Sequence, residues 1–97
     1  MSAKQIIPIG SVERVGAFVT GDDYTGTTVE ISVTPPTDPY DWQPATWVKT
    51  RPSGGTARTT DPVTFDAAGP FVVHAQISTT DSAVIVAAGT ITVAPKE

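Results

Sequence analysis

The side chains that could form an active site are few. His74 is the single histidine and cysteine is absent, so a nucleophile activated by an imidazole base has little support. Asp22 and Asp23 form one pair of carboxylates, and Asp38 and Asp41 form a second. Such oxygens serve general acid–base catalysis or bind Ca²⁺, but these two pairs lie among turn-forming residues, where aspartate caps local N–H groups. We therefore expect no enzymatic activity, no cofactor and no bound metal.

Three aromatic residues stand close together in the middle of the chain. Trp47 lies in a short apolar stretch and is expected in the core. Tyr40 and Trp42 lie in a loop stiffened by prolines, where burial is optional. They could cover one end of the fold, anchor a protein interface, or form a platform for carbohydrate.

The N-terminal segment, residues 1–11, is apolar but interrupted by Pro8, which cannot donate to a β-ladder. Ile6, Ile7 and Ile9 should not dangle in water, so the segment is expected to form an extended arm. It either folds back on its own domain or docks on a neighbour. If it docks, deletion of residues 1–9 is expected to weaken docking and to spare the fold.

Residues 49–58 hold three of the six positive charges and could contact an acidic partner. Together with the arm and the aromatic loop they complete the candidate partner-binding set. Its members are Ile6, Ile7, Ile9, Tyr40, Trp42, Lys49, Arg51 and Arg58.

Composition restricts the class of protein. The chain has 97 residues and a net charge of −4, so neither nucleic acid nor a membrane surface is an expected partner. Threonine (16), valine (12) and isoleucine (7) dominate, while leucine is absent, which excludes a helical bundle. The first residues contain no apolar stretch long enough for a secretion signal, so we expect none.

Apolar alternation with period two predicts strands separated by Pro- and Gly-rich corners. The firm strands are expected at residues 12–20, 27–34, 46–50, 71–78 and 83–93. A weaker strand is expected at 62–66, and 56–60 is expected to be at most an edge strand. A hairpin turn is expected at 79–82, and Gly89 marks either a bulge or the point where one face of the last strand is no longer covered. The pattern predicts an all-β domain over residues 12–97, an antiparallel sandwich of about seven strands with the arm at residues 1–11; a small closed barrel is the alternative.

Part of the chain resembles an immunoglobulin-like domain. Such domains bury a tryptophan where Trp47 stands, and the segment from Gly69 to Val73 resembles the family's Gly-x-Tyr-x-Cys corner. Phe71 replaces the tyrosine and Val73 replaces the cysteine, so Ile31 is expected as an apolar partner in place of a disulfide.

Two further segments, 62–69 and 88–93, resemble small immunoglobulin-like proteins of tailed phages that infect actinobacteria. This resemblance implies a non-enzymatic virion protein, most specifically a capsid decoration protein that binds the major capsid protein. A head–tail connector or tail-associated protein is the first alternative, and a carbohydrate- or receptor-binding module is the second. The resemblance also allows a homo-oligomer.

Overall fold

The structure, a computed structural model, describes residues 3–95 and the side chains of residues 5–95. Within this range the chain is all-β, as expected, and contains no helix. The ends of the predicted arm and domain, residues 1–2 and 96–97, lie outside the described range. The nine strands are β1 (Ala3–Pro8), β2 (Val12–Glu13), β3 (Gly16–Thr20), β4 (Thr28–Thr34), β5 (Trp42–Arg51), β6 (Gly54–Thr59), β7 (Val63–Thr64), β8 (Gly69–Ser78) and β9 (Ala83–Ala94).

Seven strands form one curled sheet, a half-barrel, in the order β1-β9-β8-β4-β5-β6-β3. Strand β1 runs parallel to β9, and the other neighbours are antiparallel. Strands β2 and β7 form a separate two-stranded ladder. The seven strands were expected in two packed sheets; they are continuous because β5 pairs with β4 through its first half and with β6 through its second.

Bulges bend two of the long strands. In β5 the pairing with β6 shifts register between Trp47 and Lys49, which leaves Val48 as the extra residue. In β9 the shift leaves Ala88 unpaired beside Gly89, so the predicted bulge is confirmed. A bulge increases local twist, and these two help the sheet to curl.

The loop before β5 is shorter than expected. Trp42 and Pro44 were placed in the loop, but both belong to β5. Pro44 is tolerated because its carbonyl, which accepts from the N–H of Thr60, faces the end of β6. The nitrogen and the carbonyl of one strand residue point to the same side. The N–H that Pro44 lacks would therefore also point toward β6, at the end of the β5–β6 ladder, where few hydrogen bonds remain to be made.

Strand β6 is a second difference. The segment 56–60 was expected to be at most an edge strand, but β6 lies between β5 and β3. Its polar sequence favoured an edge position. The strand can nevertheless lie inside the sheet, because Ala57 and Thr59 supply a buried face and Gly54 and Gly55 permit close approach of neighbouring atoms.

The core lies on the concave face of the sheet. Phe65 is 1% exposed and packs edge-to-face on Phe71, with ring centroids 5.5 Å apart. Trp47 is half-buried against the core, stacks on Tyr24 at 5.4 Å and donates from Nε1 to Thr27. The buried apolar residues are Ile7, Val15, Ala17, Val19, Val29, Ile31, Ala57, Phe65, Val73, Ala75, Ile77, Ile91 and Val93.

The N-terminal segment folds back on its own chain. Strand β1 pairs with β9 from Ala3 opposite Gly89 to Pro8 opposite Ala94. Ile7 is buried in the core and Ile9 packs against it, whereas Ile6 is 70% exposed. Deletion of residues 1–9 would remove a strand and a core side chain, so we expect it to destabilise the fold rather than to spare it.

Candidate functional site

Three aromatic rings meet on the convex face of the sheet. Trp42 in β5 and His74 in β8 lie on either side of Ser32 in β4, since each pairs directly with that residue. Tyr40 comes from the preceding loop and lies 4.9 Å from each ring, measured between centroids. Its ring is tilted by 34° to Trp42 and meets His74 edge-on. We call Tyr40, Trp42 and His74 the aromatic cluster.

The loop between β4 and β5 places Tyr40 over the sheet. The N–H of Asp38 donates to the carbonyl of Pro35 and closes a turn. The N–H of Asp41 then donates to the Ser32 hydroxyl at 3.0 Å. Pro36 and Pro39 restrict the remaining backbone of this loop. These constraints hold Tyr40 between its two aromatic neighbours without support from a partner.

Burial differs sharply across the cluster. Tyr40 is 48% exposed, Trp42 and His74 are half-buried, and Ser32 beneath them is fully buried. Alternation predicted a solvated face for β4 at Ser32; the cluster covers it instead. His74 lies on the convex face, and its Nδ1 is buried without a hydrogen-bond partner. Such unpaired polar atoms are uncommon in folded proteins.

A second exposed area lies toward the edge of the same face. Phe18 in β3 is 57% exposed and pairs with Thr56, which pairs in turn with Lys49. Arg58 lies two residues along β6 from Thr56, and Val48 is also exposed. Apolar and cationic side chains therefore alternate on this part of the convex face.

The predicted partner-binding residues thus separate into three places. Tyr40 and Trp42 are together. Lys49 and Arg58 share the area around Phe18, and Arg51 ends β5, about 30 Å along the strand from Trp42. Ile6 is exposed on β1, while Ile7 is internal and Ile9 is half-buried.

The candidate set predicted from sequence omitted two of these surface residues. His74 was left out because its place beside Tyr40 depends on the register of β4 and β8. Phe18 could have been found: Ala17 and Val19 alternate with it, so burying those two residues must turn Phe18 outward.

The carboxylates at Asp22 and Asp23 serve the turn after β3. Asp23 accepts from the Thr25 hydroxyl at 2.7 Å and from the Thr25 N–H at 3.0 Å. These two bonds hold the pKa of Asp23 below its ordinary value. No group of three or more His, Asp or Glu side chains converges among the described residues.

Replacing Thr25 with valine is expected to raise the pKa of Asp23 toward its ordinary value, because the hydroxyl bond is lost while the N–H bond stays. A carboxyl whose pKa is lowered by folding contributes stability above the unfolded pKa, and that contribution is lost as the pH falls through the folded pKa. A carboxyl-resolved NMR titration measures the shift. Thr80→Val, on another exposed turn, is the control and should leave Asp23 unchanged.

A shallow groove of about 470 Å³ runs along the open side of the half-barrel. Gln5 of β1 lies on one side of this groove, and Gly16 of β3 lies on the other. Arg14 and Arg58 also line it. Gly16 also lines a smaller pocket with Gln5, Ala88 and Gly89, so this end of β3 lies close to β1 and to the bulged part of β9.

No helix among residues 3–95 has the length and apolar character needed to cross a membrane. No protein-family model matches the chain, and no curated protein matches it.

Proposed function

We propose that this chain is a non-enzymatic structural domain that binds other virion proteins, most specifically a phage capsid decoration protein that binds coat subunits. The observation that carries the binding function is the aromatic cluster, in which Tyr40 is held in place yet remains 48% exposed. Ordered aromatic side chains are typical anchors of protein interfaces, since they lose little conformational entropy on binding.

The assignment to a virion rests on the resemblance of residues 62–69 and 88–93 to phage proteins. Those segments contribute Phe65, Ile91 and Val93 to the core rather than side chains to the aromatic cluster. The resemblance therefore supports a shared framework and leaves the partner open. A head–tail connector or a tail-associated protein would present the same framework.

The immunoglobulin-like relationship has support from the strand order. The runs β9-β8-β4 and β5-β6-β3 correspond to the strand sets G-F-C and D-E-B of that family. A direct pairing of strands C and D would join the two sets into one sheet. In this assignment Ile31 lies on strand C and Trp47 on strand D, so neither occupies the position that the resemblance implied.

Replacing Tyr40 with alanine is expected to weaken binding to capsids by about 100-fold, as loss of a central aromatic anchor does. Cosedimentation with capsids assembled from phage coat protein measures the effect. Ile85→Ala is the matched control, because Ile85 is an exposed apolar residue on β9 of the same face. Wild-type chain that stays in the supernatant would contradict the decoration role.

A carbohydrate-binding module is the second candidate. The exposed Tyr40 ring beside Trp42 could stack on the apolar face of a sugar. Trp42 fluorescence followed through a panel of glycans distinguishes the two candidates, with Trp47 silenced by Trp47→Phe. A saturable change that Tyr40→Ala abolishes would favour sugar binding over coat binding.

A further inference from the structure

The two free edges of the sheet differ in their protection. Natural proteins blunt free edges with lysine, proline or bulges, because unpaired N–H and C=O groups attract other strands. The sequence of β1 includes Lys4 and Pro8. Strand β3 reads Gly-Ala-Phe-Val-Thr, without a charge or a proline, and no strand pairs with its outer side within the described residues.

The outward main-chain groups of β3 follow from its bonds to neighbouring segments. The carbonyl of Val15 accepts from Thr59, and the N–H of Gly21 donates to Ser53. Because the direction alternates along a strand, odd-numbered residues bond toward β6. Gly16, Phe18 and Thr20 therefore present their main-chain groups outward, although Tyr24 already donates to the Thr20 carbonyl.

We propose that β3 pairs with β3 of a second copy of this chain, in antiparallel orientation about a two-fold axis at Phe18. The two Phe18 residues then exchange both of their main-chain hydrogen bonds. Gly16 of each copy lies opposite Thr20 of the other. The outward N–H and C=O groups of β3 can therefore pair with the same groups of a second copy, and a two-fold interface requires such self-complementarity.

The charges beyond β3 complement each other in the same register. The ladder ends at Thr20, because Gly21 turns the chain with a φ of 116°. Arg14 of one copy and Asp22 of the other flank the paired residues at the same end of the interface, and the two-fold axis repeats this at the other end. Both side chains are exposed, and Arg14 donates to the carbonyl of Thr60. The same pairing brings the two exposed Phe18 rings together on the convex face and shields them from water.

Sedimentation velocity of the purified chain from low micromolar to millimolar concentration tests self-association. A monomer–dimer equilibrium is expected. Phe18→Pro removes an outward N–H from each copy and should raise the dimer dissociation constant by about 100-fold. A wild-type chain that stays monomeric at millimolar concentration overturns the proposal. So does a folded Phe18→Pro variant that dimerises normally.

Charge reversal tests the register even if the proline variant fails to fold. Arg14→Asp and Asp22→Arg should each weaken the dimer by about 10-fold, and the double variant should restore it. Asp38→Arg is a matched control at an exposed position in the loop between β4 and β5, and it should leave the dimer unchanged. Failure of the double variant to rescue dimerisation overturns the proposed pairing.

Another occupant of the edge would also be detected. An extended acidic peptide that binds β3 of a strictly monomeric chain would replace the second copy and overturn the proposal. The result is independent of coat binding, because Tyr40→Ala should weaken binding to capsids by about 100-fold and leave the dimer intact.

Discussion

Replacing Phe65 with alanine is expected to lower the free energy of unfolding by about 3–5 kcal/mol, the usual cost of removing a buried phenylalanine. Phe65 is almost fully buried, and its ring meets Phe71 edge-to-face. Its main chain also joins two segments, since its N–H donates to Ser11 and its carbonyl accepts from Gly10. A domain of this size has about 5–15 kcal/mol of stability in total, so urea denaturation should show a much lower midpoint.

Phe18→Ala is the matched control for this prediction. It removes the same ring from a site that is 57% exposed. At low micromolar concentration, where the chain is expected to be monomeric, its effect should stay within about 0.5 kcal/mol. Equal destabilisation by both substitutions would contradict the assignment of Phe65 to the core.

Replacing Gly54 with alanine is expected to destabilise the fold by about 3 kcal/mol, at the upper end of the usual cost of overpacking. A Cβ atom at Gly54 would collide with the main-chain carbonyl of Val19 and lie 3.2 Å from the Cα of Thr20. Both are main-chain atoms of β3, so no side-chain rotation can relieve the collision. The β3–β6 pairing would have to separate.

Thermal unfolding measures this effect, and Gly16→Ala is its control on the other side of the same strand pair. A Cβ atom at Gly16 would lie 3.6 Å from the carbonyl of Ala57, an ordinary contact. That substitution should cost less than about 1 kcal/mol. A Gly54→Ala variant as stable as the wild type would show that β3 and β6 are more loosely packed than described.

Much of the fold could be predicted from local patterns. Period-two alternation identified β4 and β8, a long apolar run identified β9, and Gly89 indicated the bulge in β9. The pattern could not show that β5 would join both halves of the sheet, because that depends on pairings between distant segments. The start of β5 was also missed because Pro44 lacks an N–H group. Whether that loss disrupts the strand depends on which neighbour the group would face, and this is known only from the position of β6.

The residue types of the candidate site could be predicted from the sequence, but the way in which those residues come together could not. Tyr40 and Trp42 stood out because large aromatic residues in a proline-rich loop have no obvious place in a core. They lie beside His74 only because of the register in which β5, β4 and β8 pair, and that register cannot be read from the local sequence. The sequence also did not show that Lys49 would lie near Phe18 while Arg51 would lie at the end of β5.

The pairing of β1 with β9 has a consequence for synthesis on the ribosome. The first described strand must wait for the last one, because Ala3 pairs with Gly89. At ordinary translation rates that wait lasts about 5–15 s. Until then β8 has only β4 as a neighbour, and its other edge is open to nascent chains on the same messenger. Slower elongation lengthens that exposure, so chaperones that bind the open edge should favour folded product over aggregate, most strongly when elongation is slow.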